Sequence, residues 1–86
     1  MAGQYSFYPK LLKSSDDLDA VKDGCYCFAN GNTPEHSIGS NGVVIQIGSS
    51  QRDDKYQVLF ETNSRKVYMR LRTASWSDWK EAFSFI

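Results

Sequence analysis

The sequence has little cysteine, a single histidine, two prolines and no net charge. Ten basic residues balance ten acidic ones, so the formal net charge at pH 7 is zero. Such a chain has no broad positive field for a polyanion, and nucleic acid is not predicted as a partner. No apolar run approaches the roughly 18 residues that span a bilayer, so no membrane insertion is predicted. One histidine and two cysteines leave few metal ligands, and neither a metal nor another cofactor is predicted.

The two cysteines lie two residues apart in a segment with strand character. Cys25 and Cys27 both fall within GCYCFAN. In a strand their Cα atoms would lie about 6.6 Å apart, at the upper limit for a disulfide. A bridge would therefore be strained, and the favoured interpretation is a pair of small reduced thiols, buried or half-buried. Reduced thiols indicate assembly in a cytoplasm.

The 86 residues suffice for one domain with a small core, and aromatic residues make up 14% of them. Apolar runs and alternating segments separated by turn residues predict antiparallel strands. The predicted strands cover 25–30, 43–49, 56–62, 66–73 and part of 80–86. The fold is therefore predicted as mainly β, a small antiparallel sheet or sandwich-like knob. Residues 1–13 are predicted to form an N-terminal arm or lead-in, and 14–86 the domain.

Two connecting segments carry signals of their own. The segment SSDDLDAVKDG has Ser14 or Ser15 as N-cap, acidic residues in the first turn and Gly24 as a stop, which predicts one short helical turn. Residues 30–42, NGNTPEHSIGSNG, are rich in glycine and asparagine and predict a loop. This loop is either a mobile connector or a place for contacts with a partner.

Alternation in the segment KVYMRLRT divides its side chains between two faces. Val67, Met69 and Leu71 share one face, and Tyr68, Arg70 and Arg72 share the other. The apolar face, together with Tyr56, Val58 and Phe60 of the preceding strand, is predicted to be buried. The Arg/Tyr face, with Gln57, Leu59 and Glu61 of the preceding strand, is predicted to point outward, as a solvated surface or as an interface with a subunit or partner.

Both tryptophans of the chain lie three residues apart near its end, in SWSDW. A turn held by Ser77 and Asp78 would fold Trp76 and Trp79 over the sheet, and packing is the favoured interpretation. The alternative is a platform on which an indole stacks against a sugar ring. The candidate binding residues are Tyr68, Arg70, Arg72, Trp76, Asp78 and His36.

The order of these segments resembles the pyocin knob domain, a module of R-type pyocin and bacteriophage tail fibres. The matching marks are Asp17-Leu18 ahead of Gly24-x-Tyr26, then Val67-Tyr68-x-Arg70, then Trp76-Ser77-x-Trp79-Lys80. The resemblance covers roughly residues 16–83, so that 14–86 is interpreted as a knob-like domain. It implies a small β-rich module, assembled as a trimer in a virion fibre, that meets a bacterial surface glycan without catalysis.

The resulting prediction is a non-enzymatic tail-fibre knob in a virion, assembled in the host cytoplasm as a homotrimer. Its expected partners are a bacterial surface glycan or other receptor and other fibre or baseplate proteins. The alternative is a structural spacer or a capsid or head decoration protein with no receptor binding. An enzyme is disfavoured because no catalytic residues can be named: His36 beside Glu35 does not make a dyad without a third group. A further, less favoured hypothesis is single-stranded nucleic-acid binding by Arg70 and Arg72, which lie among aromatic residues.

Overall fold

The computed structural model describes residues 8–49 and 52–84, and within them the chain forms a single six-stranded sheet. The strands are β1 (Lys10–Leu11), β2 (Gly24–Phe28), β3 (Gly42–Gly48), β4 (Lys55–Glu61), β5 (Lys66–Arg72) and β6 (Lys80–Ser84). They lie side by side in chain order. The pair β1–β2 is parallel and the other four pairs are antiparallel.

The prediction of a mainly β chain is confirmed, but the sheet is not purely antiparallel. The described residues form one sheet, which is mixed because of β1, and no second sheet makes a sandwich with it. The predicted lead-in is partly a strand, since Lys10–Leu11 pairs with β2 and Leu12 is buried; residues 1–7 of that lead-in lie outside the described part. No helix among the described residues is long and apolar enough to cross a membrane.

The predicted helical turn after Ser14 is wrong, because the acidic side chains there make turns. The Asp16 carboxylate accepts a hydrogen bond from the Lys13 amide, and the Asp17 carboxylate accepts one from the Asp19 amide. The amide of Leu18 donates to the Glu35 carbonyl instead of to a carbonyl of its own segment. Aspartates that bind nearby backbone groups compete with helix formation in this way.

The two faces of the sheet are reversed relative to the prediction. The face that we call the covered face lies under the connecting segments, and its side chains are Tyr26, Phe28, Val44, Gln46, Gln57, Leu59, Glu61, Tyr68 and Arg70. The opposite face, the open face, carries Leu11, Cys25, Cys27, Val43, Ile45, Ile47, Tyr56, Val58, Phe60, Val67, Met69, Leu71 and Phe83.

Burial makes the correction plain. Gln57 is 0% exposed and Arg70 6%, although alternation predicted that both would point outward. Met69 is 43% exposed and Leu71 38%, although both were predicted to be buried; their neighbour Val67 is buried as predicted. The core therefore lies between the sheet and its connections, and the apolar side of the meander is left uncovered by the described residues.

Connecting segments, rather than a second sheet, cover the core, and this explains why polar side chains face them. Leu12, Leu18 and Ile38 from residues 12–23 and 29–41 pack onto the covered face. Irregular backbone brings carbonyl groups without strand partners into this layer, and buried carbonyls need donors. Side chains of the sheet supply them: Gln57 donates to the Leu18 carbonyl at 2.7 Å. A wholly apolar face would offer these carbonyls no hydrogen-bond donors.

Candidate functional site

Both tryptophans lie around one buried arginine on the covered face. The guanidinium carbon of Arg70 is 4.2 Å from the ring centroid of Trp76 and 4.9 Å from that of Trp79. Each contact is a cation–π interaction, which strengthens when water is excluded. The segment after β5 is held in place by Ser77, whose amide donates to the Leu71 carbonyl and whose hydroxyl accepts from the Leu71 amide. The two indoles thus form a clamp around the arginine.

The clamped arginine ends a row of polar side chains that crosses three neighbouring strands. Arg70 Nε donates to Gln57 Oε1 at 2.8 Å, and Gln57 Nε2 donates to Gln46 Oε1 at 2.7 Å. Gln46 in turn donates to the Val21 carbonyl. On its other side, Arg70 Nη2 lies 2.8 Å from a carboxylate oxygen of Asp19. Burial lowers the pKa of the arginine, while the Asp19 carboxylate acts to raise it.

Next to the clamp, a histidine and an aspartate form a partly exposed ion pair. His36 Nδ1 is 2.7 Å from Asp17 Oδ1 and 3.4 Å from Asp19 Oδ2. The hydrogen bond lowers the pKa of Asp17, and the same bond, aided by the charge of Asp19, raises the pKa of His36 above 6.5. The backbone of His36 has φ of 63°, a conformation that costs a side-chain-bearing residue about 1 kcal/mol or more. The Trp79 indole holds it there by donating to the His36 carbonyl at 2.7 Å.

A second buried charge organises the loop between β2 and β3. The carboxylate of Glu61 accepts hydrogen bonds from the Ser64 amide at 2.7 Å, the Ser40 amide at 3.2 Å and the Asn41 amide at 3.4 Å. We call this arrangement the carboxylate clasp. Burial acts to raise the pKa of Glu61, but the hydrogen bonds from Ser64, Ser40 and Asn41 outweigh it and lower the pKa to about 2. The clasp therefore holds an ionised group under the sheet's covering layer.

The structure brings some of the sequence-predicted binding residues together and separates others. Arg70, Trp76 and, through Trp79, His36 belong to one cluster. Asp78 is exposed in the turn between the indoles, and Arg72 is half-buried at the end of β5, where its backbone bridges to Trp76. Tyr68 packs against the core instead of facing solvent.

Three important residues of the cluster were not predicted as site residues. Asp17 and Asp19 were interpreted as acidic residues of a helix start, and Gln57 was placed on a solvated face. The alternation did place Gln57 on the same side of the sheet as Arg70, which was the available signal. The partners from residues 17–19 could not be found this way, because they reach the arginine through a fold of the connecting segments.

The cluster offers binding groups but little room for a ligand. Among the described residues, the Trp76 indole N–H is buried without a hydrogen-bond partner, so a sugar hydroxyl would have to displace a neighbour to reach it. Ligand atoms of Asp17, Glu35 and His36 lie within 4.8 Å of one another, a spacing that a small cation can bridge, but the short Asp17–His36 contact already explains it.

Two concavities lie away from this cluster's exposed groups. A groove of about 610 Å³ follows the β1–β2 edge and is lined partly by Lys10, Asp16 and Lys22. A depression of about 290 Å³ lies on the open face between Tyr56, Leu71 and neighbouring residues. The groove contains none of the predicted binding residues, and the depression touches only Arg70 among them, so neither turns that set into an enclosed ligand site.

Comparisons with protein-family models, with curated proteins and with solved structures returned no match to this chain.

Proposed function

We propose that this chain is a non-enzymatic module of a virion appendage, a tail-fibre knob that contributes to trimerisation of the fibre and to attachment at the host cell surface. The observation that carries the proposal is the open face, since a small protein that works alone rarely exposes a large apolar patch. An assembly component has a reason to expose one. The residue pattern from Asp17 to Lys80 that resembles pyocin knob domains supplies the setting.

The loop-covered side is the side that would meet a receptor in this proposal. It presents the exposed His36 and Asp78 beside the two half-buried indoles, and hydrogen-bonding groups next to an aromatic edge suit a glycan. The partners would be a bacterial surface glycan or other receptor and neighbouring fibre or baseplate proteins. Assembly in the host cytoplasm fits the free thiols of Cys25 and Cys27, which the structure leaves half-buried.

A specific observation favours the alternative of a structural spacer or a capsid or head decoration protein. Arg70 and the two indoles are engaged with one another and with the polar row, so their main role is to hold the fold. In the spacer version the module would assemble through the open face, and a different part of the particle would recognise the host.

Adsorption distinguishes the two versions. Fluorescently labelled protein would be incubated with a panel of bacterial strains, and binding would be challenged with each strain's purified surface polysaccharide. Strain-specific binding that the polysaccharide competes away, and that Asp78→Ala weakens more than Asn32→Ala in the neighbouring loop, supports the attachment module. A trimer in sedimentation equilibrium that binds no strain supports the spacer, and a monomer that binds no strain contradicts both.

A further inference from the structure

We propose that the open face is the interface between copies of this chain. The inference deepens the self-association part of the proposed function and rests on it. The open face mediates self-association, and the loop-covered side points outward.

The open face is a large and continuous apolar surface. In register, Leu11, Cys27, Val43, Phe60, Val67 and Phe83 form one unbroken apolar row across all six strands. Val67 is 4% exposed, but eight large apolar residues of the face are exposed, by 37% at Ile45 to 68% at Leu11. With about 200 Å² for a fully exposed large side chain, these residues leave on the order of 700 Å² open. A standard interface takes about 800 Å² from each partner, and the largest patch on a typical monomer is about 300–600 Å².

The open face carries little charge, which disfavours a lipid surface or a different protein as its partner. In the strand register the charged side chain on this side is Lys80, at the edge next to Met69. A lipid surface would be expected to meet a basic patch, which this face lacks. Recognition of a foreign protein commonly uses complementary charge, and the face offers little of that. A second copy of the same apolar sheet is the partner that matches it in shape and polarity, and zero net charge brings no repulsion between copies.

The open face contains one depression that could receive a side chain of a second copy. The depression between Tyr56, Met69 and Leu71 has a volume of about 290 Å³, enough for one large side chain from the opposing copy. Hot spots of interfaces are commonly such pockets filled by an anchor residue. Two sheets packed face to face lie about 10 Å apart, with the side chains of both inner faces interdigitating.

The test compares a charge on the open face with the same charge elsewhere. Ile47→Lys places an ammonium at the most exposed apolar side chain of β3, and Asn32→Lys places one in the exposed loop on the other side. Sedimentation equilibrium of the wild-type chain and of both variants gives the assembly state, and circular dichroism verifies that each is folded. We expect an assembled wild type and Asn32→Lys, and a folded Ile47→Lys whose dissociation constant rises by at least about 100-fold. An assembled Ile47→Lys, or a monomeric wild type, overturns the inference.

A second readout is the rate at which the thiols on the open face react. Cys25 and Cys27 are half-buried on the open face, so a bulky maleimide should label them slowly in the assembled wild type. Labelling as fast in the assembly as in the Ile47→Lys monomer overturns the inference. The proposed function is judged separately: a dimer through this face supports the interface but contradicts a trimeric fibre, and adsorption to cells tests attachment whichever face assembles.

Discussion

Neutralising the carboxylate clasp should destabilise the protein strongly at neutral pH and little in acid. Glu61 is 4% exposed, and its pKa falls from 4.5 to about 2 on folding. A lowered pKa contributes stability above the unfolded-state value, and that contribution is lost as the pH falls through the folded-state value. At about 1.4 kcal/mol per unit, the shift corresponds to about 3 kcal/mol at pH 7.

The substitution Glu61→Gln removes this contribution with nearly unchanged volume. Its single carbonyl oxygen can serve either the Ser64 amide or the pair from Ser40 and Asn41, and its NH₂ group then faces amides that are also donors. We expect the free energy of unfolding to fall by about 2–3 kcal/mol at pH 7. The difference between the two proteins should shrink by about 2 kcal/mol between pH 7 and pH 3, because the wild type alone loses the contribution.

Urea unfolding at pH 7 and pH 3, at one protein concentration, measures both quantities. The matched control is Glu81→Gln, since Glu81 is exposed on β6 and its carboxylate makes a surface ion pair with Lys66. The control should change the free energy of unfolding by less than about 1 kcal/mol. A Glu61→Gln protein within about 1 kcal/mol of the wild type at pH 7, or an equal loss of stability at both pH values, would contradict a stabilising role for the ionised Glu61.

Three further predictions follow from the site. Because Asp17 raises the pKa of His36, an NMR titration of this single histidine should give a midpoint above 6.5 that returns toward 6.5 in Asp17→Asn. The stabilisation from the pair is present below pH 6.5 and is lost as the pH rises through the raised pKa of His36. A midpoint that Asp17→Asn leaves unchanged contradicts the pairing. Arg70→Met should lower the free energy of unfolding, measured in urea, by about 3 kcal/mol because the Asp19 carboxylate loses its counter-charge. A variant as stable as the wild type would show that the clamp is dispensable. Gly39→Ala should destabilise by at least about 1 kcal/mol more than Gly31→Ala: both glycines have φ near 82°, but of the two only Gly39 would bring a new Cβ against the Glu61 side chain of the clasp, so equal thermal shifts would contradict the close approach.

The order and type of the elements were predictable from local pattern alone. Alternation and apolar runs are properties of a few neighbouring residues, and each predicted strand from 25–30 onward overlaps an observed one. The half-buried placement of Cys25 and Cys27 was predictable for the same reason. The helical turn failed because Asp16 and Asp17 have two local uses, capping a helix or closing a turn. Local pattern does not choose between them when a distant strand bridge competes.

Local pattern alone establishes a mainly β chain in which alternation separates two sets of side chains on β4 and β5. Which of the two sides lies inside depends on how the connecting segments pack. The connecting segments bring carbonyls and carboxylates onto the sheet, and these require the donors of Gln46, Gln57 and Arg70. The apolar side is then left uncovered by the described residues. A pattern of period two specifies that faces differ, but the chemistry of the covering layer selects the face that is buried.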